Sequence, residues 1–130
     1  MNIDKILQYA LQLHNAGDLT KANIFYNEIL AVQMDHPDAN HLSGLVDLSN
    51  GNLDEAKIKI ELAIASASSE ATFHNSLANV LKSQNSLELA KESYLLAIEL
   101  DPNLPEAHYN LGKLFERLGD IKSATKCLTV

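Results

Sequence analysis

The chain has 130 residues, enough for one modest domain or a few stacked repeats. Apolar residues make up 46% of it, whereas three Pro, five Gly and no Trp are too few for a turn-rich β fold, so helix is expected. A formal charge of −7 argues against a nucleic-acid or anionic-membrane partner, both of which need a basic face. Cys127, alone, allows neither an intrachain disulfide nor a thiolate zinc site.

The first residues, MNIDKILQYALQL, carry an acid at position 4 and polar interruptions, so they lack the basic start and unbroken apolar run of a secretory signal. No apolar run approaches bilayer length, and no membrane insertion is expected. The cytoplasm is the expected compartment.

A first helix is predicted over 3–16, stopped by Gly17, with Asp18 as N-cap of a second helix over 19–33. Asp35-His36-Pro37 makes the next turn, with Pro37 suited to the first position of a helix over 37–50. Gly51 and Asn52 then stop one helix and start another over 53–67, where Asn52 and Glu55 have capping-box spacing. Ser68-Ser69 precedes a helix over 71–84, and Asn85-Ser86 leads into one over 87–100. The stretch from Asp101 to Pro105 supplies turn chemistry before a helix over 105–118, and Gly119-Asp120 opens a last helix from 121 onward.

These elements repeat every 34 residues without an insertion. Ala10, Gly44, Ala78 and Gly112 form one series, and Ala22, Ala56, Ala90 and Ala124 a second. Gly17, Gly51, Asn85 and Gly119 form a third, and Ile29, Ala63 and Ala97 a fourth. Small residues are needed where two helices approach closely. Large ones, Tyr26, Ile60, Tyr94 and Leu128, share one slot on the second helices.

Residues 105–124, PEAHYNLGKLFERLGDIKSA, resemble a tetratricopeptide repeat through Leu111-Gly112, Phe115, Gly119 and Ala124. Residues 71–102 match through Leu77-Ala78, Ala90, Tyr94, Ala97 and Pro102, and the likeness extends more weakly over the first two blocks. The resemblance implies an all-α right-handed superhelix of antiparallel helix pairs. It would be a single array of about 3.5 repeats over 3–36, 37–70, 71–104 and an incomplete 105–130. It also implies a scaffold that holds a partner's peptide or helix in a concave groove lined by the first helices.

Carried onto this chain, the groove positions are Leu7, Leu11, His14, His41, Leu45 and Leu48 in the first two blocks. They continue as Asn75, Asn79, Lys82, Tyr109, Asn110, Lys113 and Arg117 in the last two. One half is apolar and the other amide-rich and basic. The residues with which chaperone-binding members clamp a C-terminal carboxylate are missing at Leu7, Leu11, Leu42, Thr72 and Ser76, and equally at His41, Leu45, Ser76, Glu106 and Asn110. Of the slots that hold an asparagine ladder in O-linked N-acetylglucosamine transferase repeats, Gln8, Leu42, Ser76 and Asn110, one matches.

The second block departs from the family, with Asn40, Ser43 and Asp47 at positions that are normally apolar and packed. A buried, unpaired Asp47 would cost about 3–5 kcal/mol, so it is expected to be partly exposed and to have a partner. His74 and His108 occupy a slot where the family often has Trp and are expected as aromatic fillers, and no histidine has metal-ligand spacing.

No phosphate loop, zinc-protease motif or nucleophile with a placed base is present, so neither catalysis nor a cofactor is expected of these residues. No polar capping helix follows Val130, which suggests the front of a longer protein or two copies covering each other's ends. Self-association is therefore one alternative function. A substrate-presenting region of a larger bacterial transferase is the other, and it rests on family resemblance alone.

Overall fold

Four left-handed residues punctuate the chain at the predicted interval: Gly17 (φ 88°), Gly51 (φ 80°), Asn85 (φ 63°) and Gly119 (φ 80°). Each follows a helix end and is the site of a double hydrogen-bonded stop. Gly17 N–H donates to His14 O at 3.0 Å while Asp18 N–H donates to Leu13 O at 2.9 Å. The same two bonds recur from Gly51 and Asn52, from Asn85 and Ser86, and from Gly119 and Asp120. This pairing satisfies carbonyls that a helix end leaves orphaned.

The computed structural model describes residues 2–120 and Lys126. It contains α1 (Ile3–Asn15), α2 (Leu19–Val32), α3 (Pro37–Ser49), α4 (Leu53–Ser66), α5 (Ala71–Ser83), α6 (Leu87–Leu100) and α7 (Pro105–Arg117), with no strand among the described residues. Every predicted boundary within this range is met to about a residue, the ordinary uncertainty of helix ends. Apart from Lys126, which is helical, the predicted last helix lies outside the described residues, as do Ile121, Ala124, Cys127, Leu128 and Val130. Two compact units divide between Ser68 and Ser69.

In the first unit, α1 packs on α2, α2 on α3 and α3 on α4. Ala10, Ala22, Tyr26 and Val46 form a core, with Leu7, Leu13, Leu19, Phe25 and Leu42 packed around it. A Cβ on Gly44 would lie 2.8 Å from Ile60 Cγ1 and 3.3 Å from Ala56 O, which is why that helix contact admits no side chain. In the second unit, Ala78, Leu81, Ala90, Tyr94, Leu111 and Leu114 make the core, and α7 contacts both α5 and α6. The shared large-residue slot is fully buried at Tyr26, Ile60 and Tyr94.

Two expectations need correction. Asn52 makes no side-chain cap bond, so the Asn52–Glu55 capping box does not form. Its backbone N–H, which Glu55 would have to receive, is already donated to Asp47 O at 2.8 Å. Asp47 is buried rather than partly exposed, but it does find a partner: Lys59 Nζ lies 2.7 Å from Asp47 Oδ2. The contact balances the charge as an ion pair without being aligned as a hydrogen bond to that oxygen. Lys59 also donates to Ser43 Oγ (2.9 Å), Ser43 donates to Asn23 Oδ1 (2.7 Å), and Asn40 Nδ2 donates to Met34 O (3.0 Å). The unusual polar residues of the second block thus find partners in Lys59, in Asn23 of the first block and in the backbone.

Candidate functional site

The polar groove positions of the second unit come together on α5 and α7. Asn75, Asn79 and Lys82 are spaced four and three residues apart on α5, so they share one helix face. On α7 the same holds for Tyr109, Lys113 and Arg117, with Asn110 beside them. Asn110 Nδ2 lies 3.4 Å from Asn75 Oδ1 and 3.3 Å from Asn79 Oδ1, donating towards both. Asn79 Oδ1 also accepts from the hydroxyl of Tyr94, whose ring fills the core slot on α6.

That last contact fixes the site's polarity. With Asn79 Oδ1 taken by Tyr94 and Asn110, its Nδ2 is left to donate outward. Asn110 Oδ1 and the side-chain nitrogens of Asn75 and Asn79 have no hydrogen-bond partner among the described residues. They border a recess of about 440 Å³ lined by Asn75, Asn79, Pro105, Glu106, Tyr109 and Asn110. The site therefore presents both donors and an acceptor, the combination that an extended peptide backbone can meet. Tyr109 is 57% exposed, and Lys113 Nζ sits 5.7 Å from the Tyr109 ring centroid.

Lys82 is half-buried at the C-terminal end of α5, and its ammonium has no hydrogen bond or ion pair among the described residues. Burial first, and the Arg117 guanidinium second, lower its pKa. Arg117 Nη2 donates to Asn85 Oδ1 at 3.3 Å, which anchors the guanidinium over the left-handed turn that ends α5. Lys113 has Glu116 at 3.7 Å, a loose, exposed pair of little energetic weight.

The apolar groove positions lie in the first unit. Leu7, Leu11, Leu45 and Leu48 are half-buried, Leu7 against the core there. His41 is 8% exposed, and burial pushes its pKa down to about 4. His14 Nδ1 pairs with Tyr26 OH at 2.9 Å. A second recess of about 450 Å³, lined by Leu30, Met34, Asp35, Leu62, Ala65 and Ser66, is mainly apolar. His74 is buried, and His108 Nε2 donates to Pro102 O at 2.8 Å. No group of three or more metal-ligating side chains occurs among the described residues, and no described helix is long and apolar enough to cross a membrane.

Sequence reasoning overlooked the parts played by Tyr94, Asn85 and Glu106. Tyr94 could have been found, because a buried tyrosine needs a partner for its hydroxyl and Asn79 lies on the adjacent helix. Glu106 lies one turn before Asn110 on α7.

Comparison with known proteins agrees with the fold. The family described as TPR repeat matches residues 78–119. A TPR repeat-containing thioredoxin of Arabidopsis thaliana is 29% identical over 100 residues, which are 77% of this chain and 15% of that protein. The chain thus spans about a seventh of that relative. MamA of Desulfovibrio magneticus RS-1, from residue 41 to its end, superposes with a TM-score of 0.87 at 26% identity, covering 98% of this chain and 72% of that one. The first TPR of Spaghetti (RPAP3), solved bound to an HSP90 peptide SRMEEVD, superposes with a TM-score of 0.83 at 20% identity, covering 90% and 93%. The helix pairs, the left-handed stops at the repeat interval and these matches give the chain the tetratricopeptide repeat fold, and the TPR repeat family itself matches over residues 78–119.

Proposed function

We propose that this chain is a protein-interaction module that holds an extended segment of a partner protein on the amide face of α5 and α7. Tetratricopeptide repeats generally mediate protein–protein interaction, and a related fold is known with a peptide bound. The observation that carries the reading is the orientation of Asn79. Tyr94 and Asn110 occupy its oxygen, so its nitrogen faces outward beside the unused oxygen of Asn110. A buried tyrosine that pre-orients an amide reduces the ordering cost of binding.

The half-buried Leu7, Leu11, Leu45 and Leu48, with His41, give the first unit an apolar surface of its own in this reading. They contribute less than the amide face because little of them remains to be covered. A library of peptides blocked at both ends, selected against the intact chain, tests the proposal. The wild type should enrich a subset of peptides, and Asn79→Ala/Asn110→Ala should lower affinity for them by roughly tenfold. Equal recovery by a folded double variant would rule out this face.

A further inference from the structure

We propose that the segment held on this face carries an acidic side chain, which docks between Lys82 and Arg117 about one to three residues from the backbone gripped by the asparagines. The inference rests on the amide-face reading above and adds the chemistry and register of the bound segment.

The chain is acidic overall, at −7, yet the far end of this face gathers Lys82, Lys113 and Arg117. Lys113 is engaged with Glu116 and the Tyr109 ring. Lys82 and Arg117 are not neutralised by any carboxylate among the described residues, although they are close enough for the guanidinium to disfavour the charged ammonium. A half-buried ammonium beside an exposed guanidinium, with no carboxylate between them, is an arrangement that a third, anionic party stabilises. Both residues lie in the last turns of their helices, where a cation also complements the helix dipole. That role does not explain Arg117, which reaches across to Asn85 beyond the end of another helix.

The opposite end of the face has the opposite sign. Glu106 lines the recess beside Asn110. It precedes Arg117 by eleven residues of helix, about 16 Å at 1.5 Å per residue. An acidic group is therefore repelled at one end and attracted at the other, which fixes which way a bound segment runs. From Asn79 and Asn75 to Lys82 is three and seven residues of helix, about 5–10 Å. An extended chain advances about 3.3 Å per residue, so that distance is about one to three residues of the partner.

The test selects peptides acetylated at one end and amidated at the other, so that carboxylates come only from Asp and Glu. The wild type is expected to enrich Asp or Glu at one position, about one to three residues from a sequence-tolerant stretch. Lys82→Glu/Arg117→Glu should bind the best acidic peptide at least roughly tenfold more weakly and select Lys or Arg at that position. Should the reversed protein fail to fold, judged by circular dichroism, Lys82→Gln/Arg117→Gln should lose the acidic preference without gaining a basic one.

Enrichment with no acidic position, or an acidic preference unchanged by either variant, overturns this inference and leaves the amide-face reading standing. An acidic preference seen only with phosphoserine or a free C-terminus in a second library also overturns it. Failure of the wild type to enrich any peptide removes both.

Discussion

The ammonium of Lys59 on α4 lies 2.7 Å from Asp47 Oδ2 on α3, and both side chains are mostly withdrawn from solvent. Removing one partner of such a pair leaves a charge without compensation. Lys59→Met should therefore destabilise the protein by about 2–3 kcal/mol, less than a fully buried pair because both groups keep some water contact. Urea unfolding measures this. Asp47→Leu/Lys59→Met should recover most of the loss, and a double variant as unstable as the single one would show that the pair is not the source.

Gly44 touches Ile60 more closely than any side chain would allow, with 2.8 Å between a Cβ there and Ile60 Cγ1. Gly44→Ala should cost about 1–3 kcal/mol through overpacking. Adding it to Ile60→Ala should cost clearly less, because the Ile60 atoms it meets are gone and only Ala56 O at 3.3 Å remains. A double-mutant cycle in thermal unfolding checks the coupling, and simple additivity would count against the contact.

Tyr94→Phe keeps the ring in its slot and deletes only the hydroxyl that Asn79 receives. A stability loss of about 1 kcal/mol is expected. Peptide affinity should fall several-fold because the Asn79 amide is free to turn over. Unchanged affinity in a folded variant would mean that the tyrosine does not orient the site.

His41 gives the first unit a dependence on pH. Its folded pKa is held down to about 4 chiefly by burial, with Asp38 raising it and His14 lowering it, against about 6.5 in an unfolded chain. Between those values the unfolded chain binds a proton that the folded chain refuses, so stability is complete above pH 6.5 and falls as pH drops towards 4. The loss from this group is of order 3 kcal/mol. His41→Gln should flatten that part of the urea-midpoint profile between pH 7 and 4.5 relative to wild type. Parallel profiles would show that another group titrates.

The helices were legible because their causes are local. A glycine or asparagine with positive φ, a cap residue after it and small residues at 34-residue intervals act over a few neighbours, so the pattern gave the described helices nearly residue by residue. Where local rules competed, the sequence misled. Asn52 and Glu55 have capping-box spacing, but the helix stop before them takes the backbone donor that the box requires.

The sequence by itself also determined the repeat and the residue types on each first helix, since a fixed repeat length assigns faces before any packing is known. Only the tertiary structure decided what those residues do. It buried Asp47 against Lys59, which lies 12 positions later in the chain, and turned Asn79 outward through Tyr94 on the next helix. It also drew Arg117 towards Asn85, across 32 residues. Each of these depends on which side chain meets which across a helix interface, a three-dimensional condition that spacing along one chain does not contain.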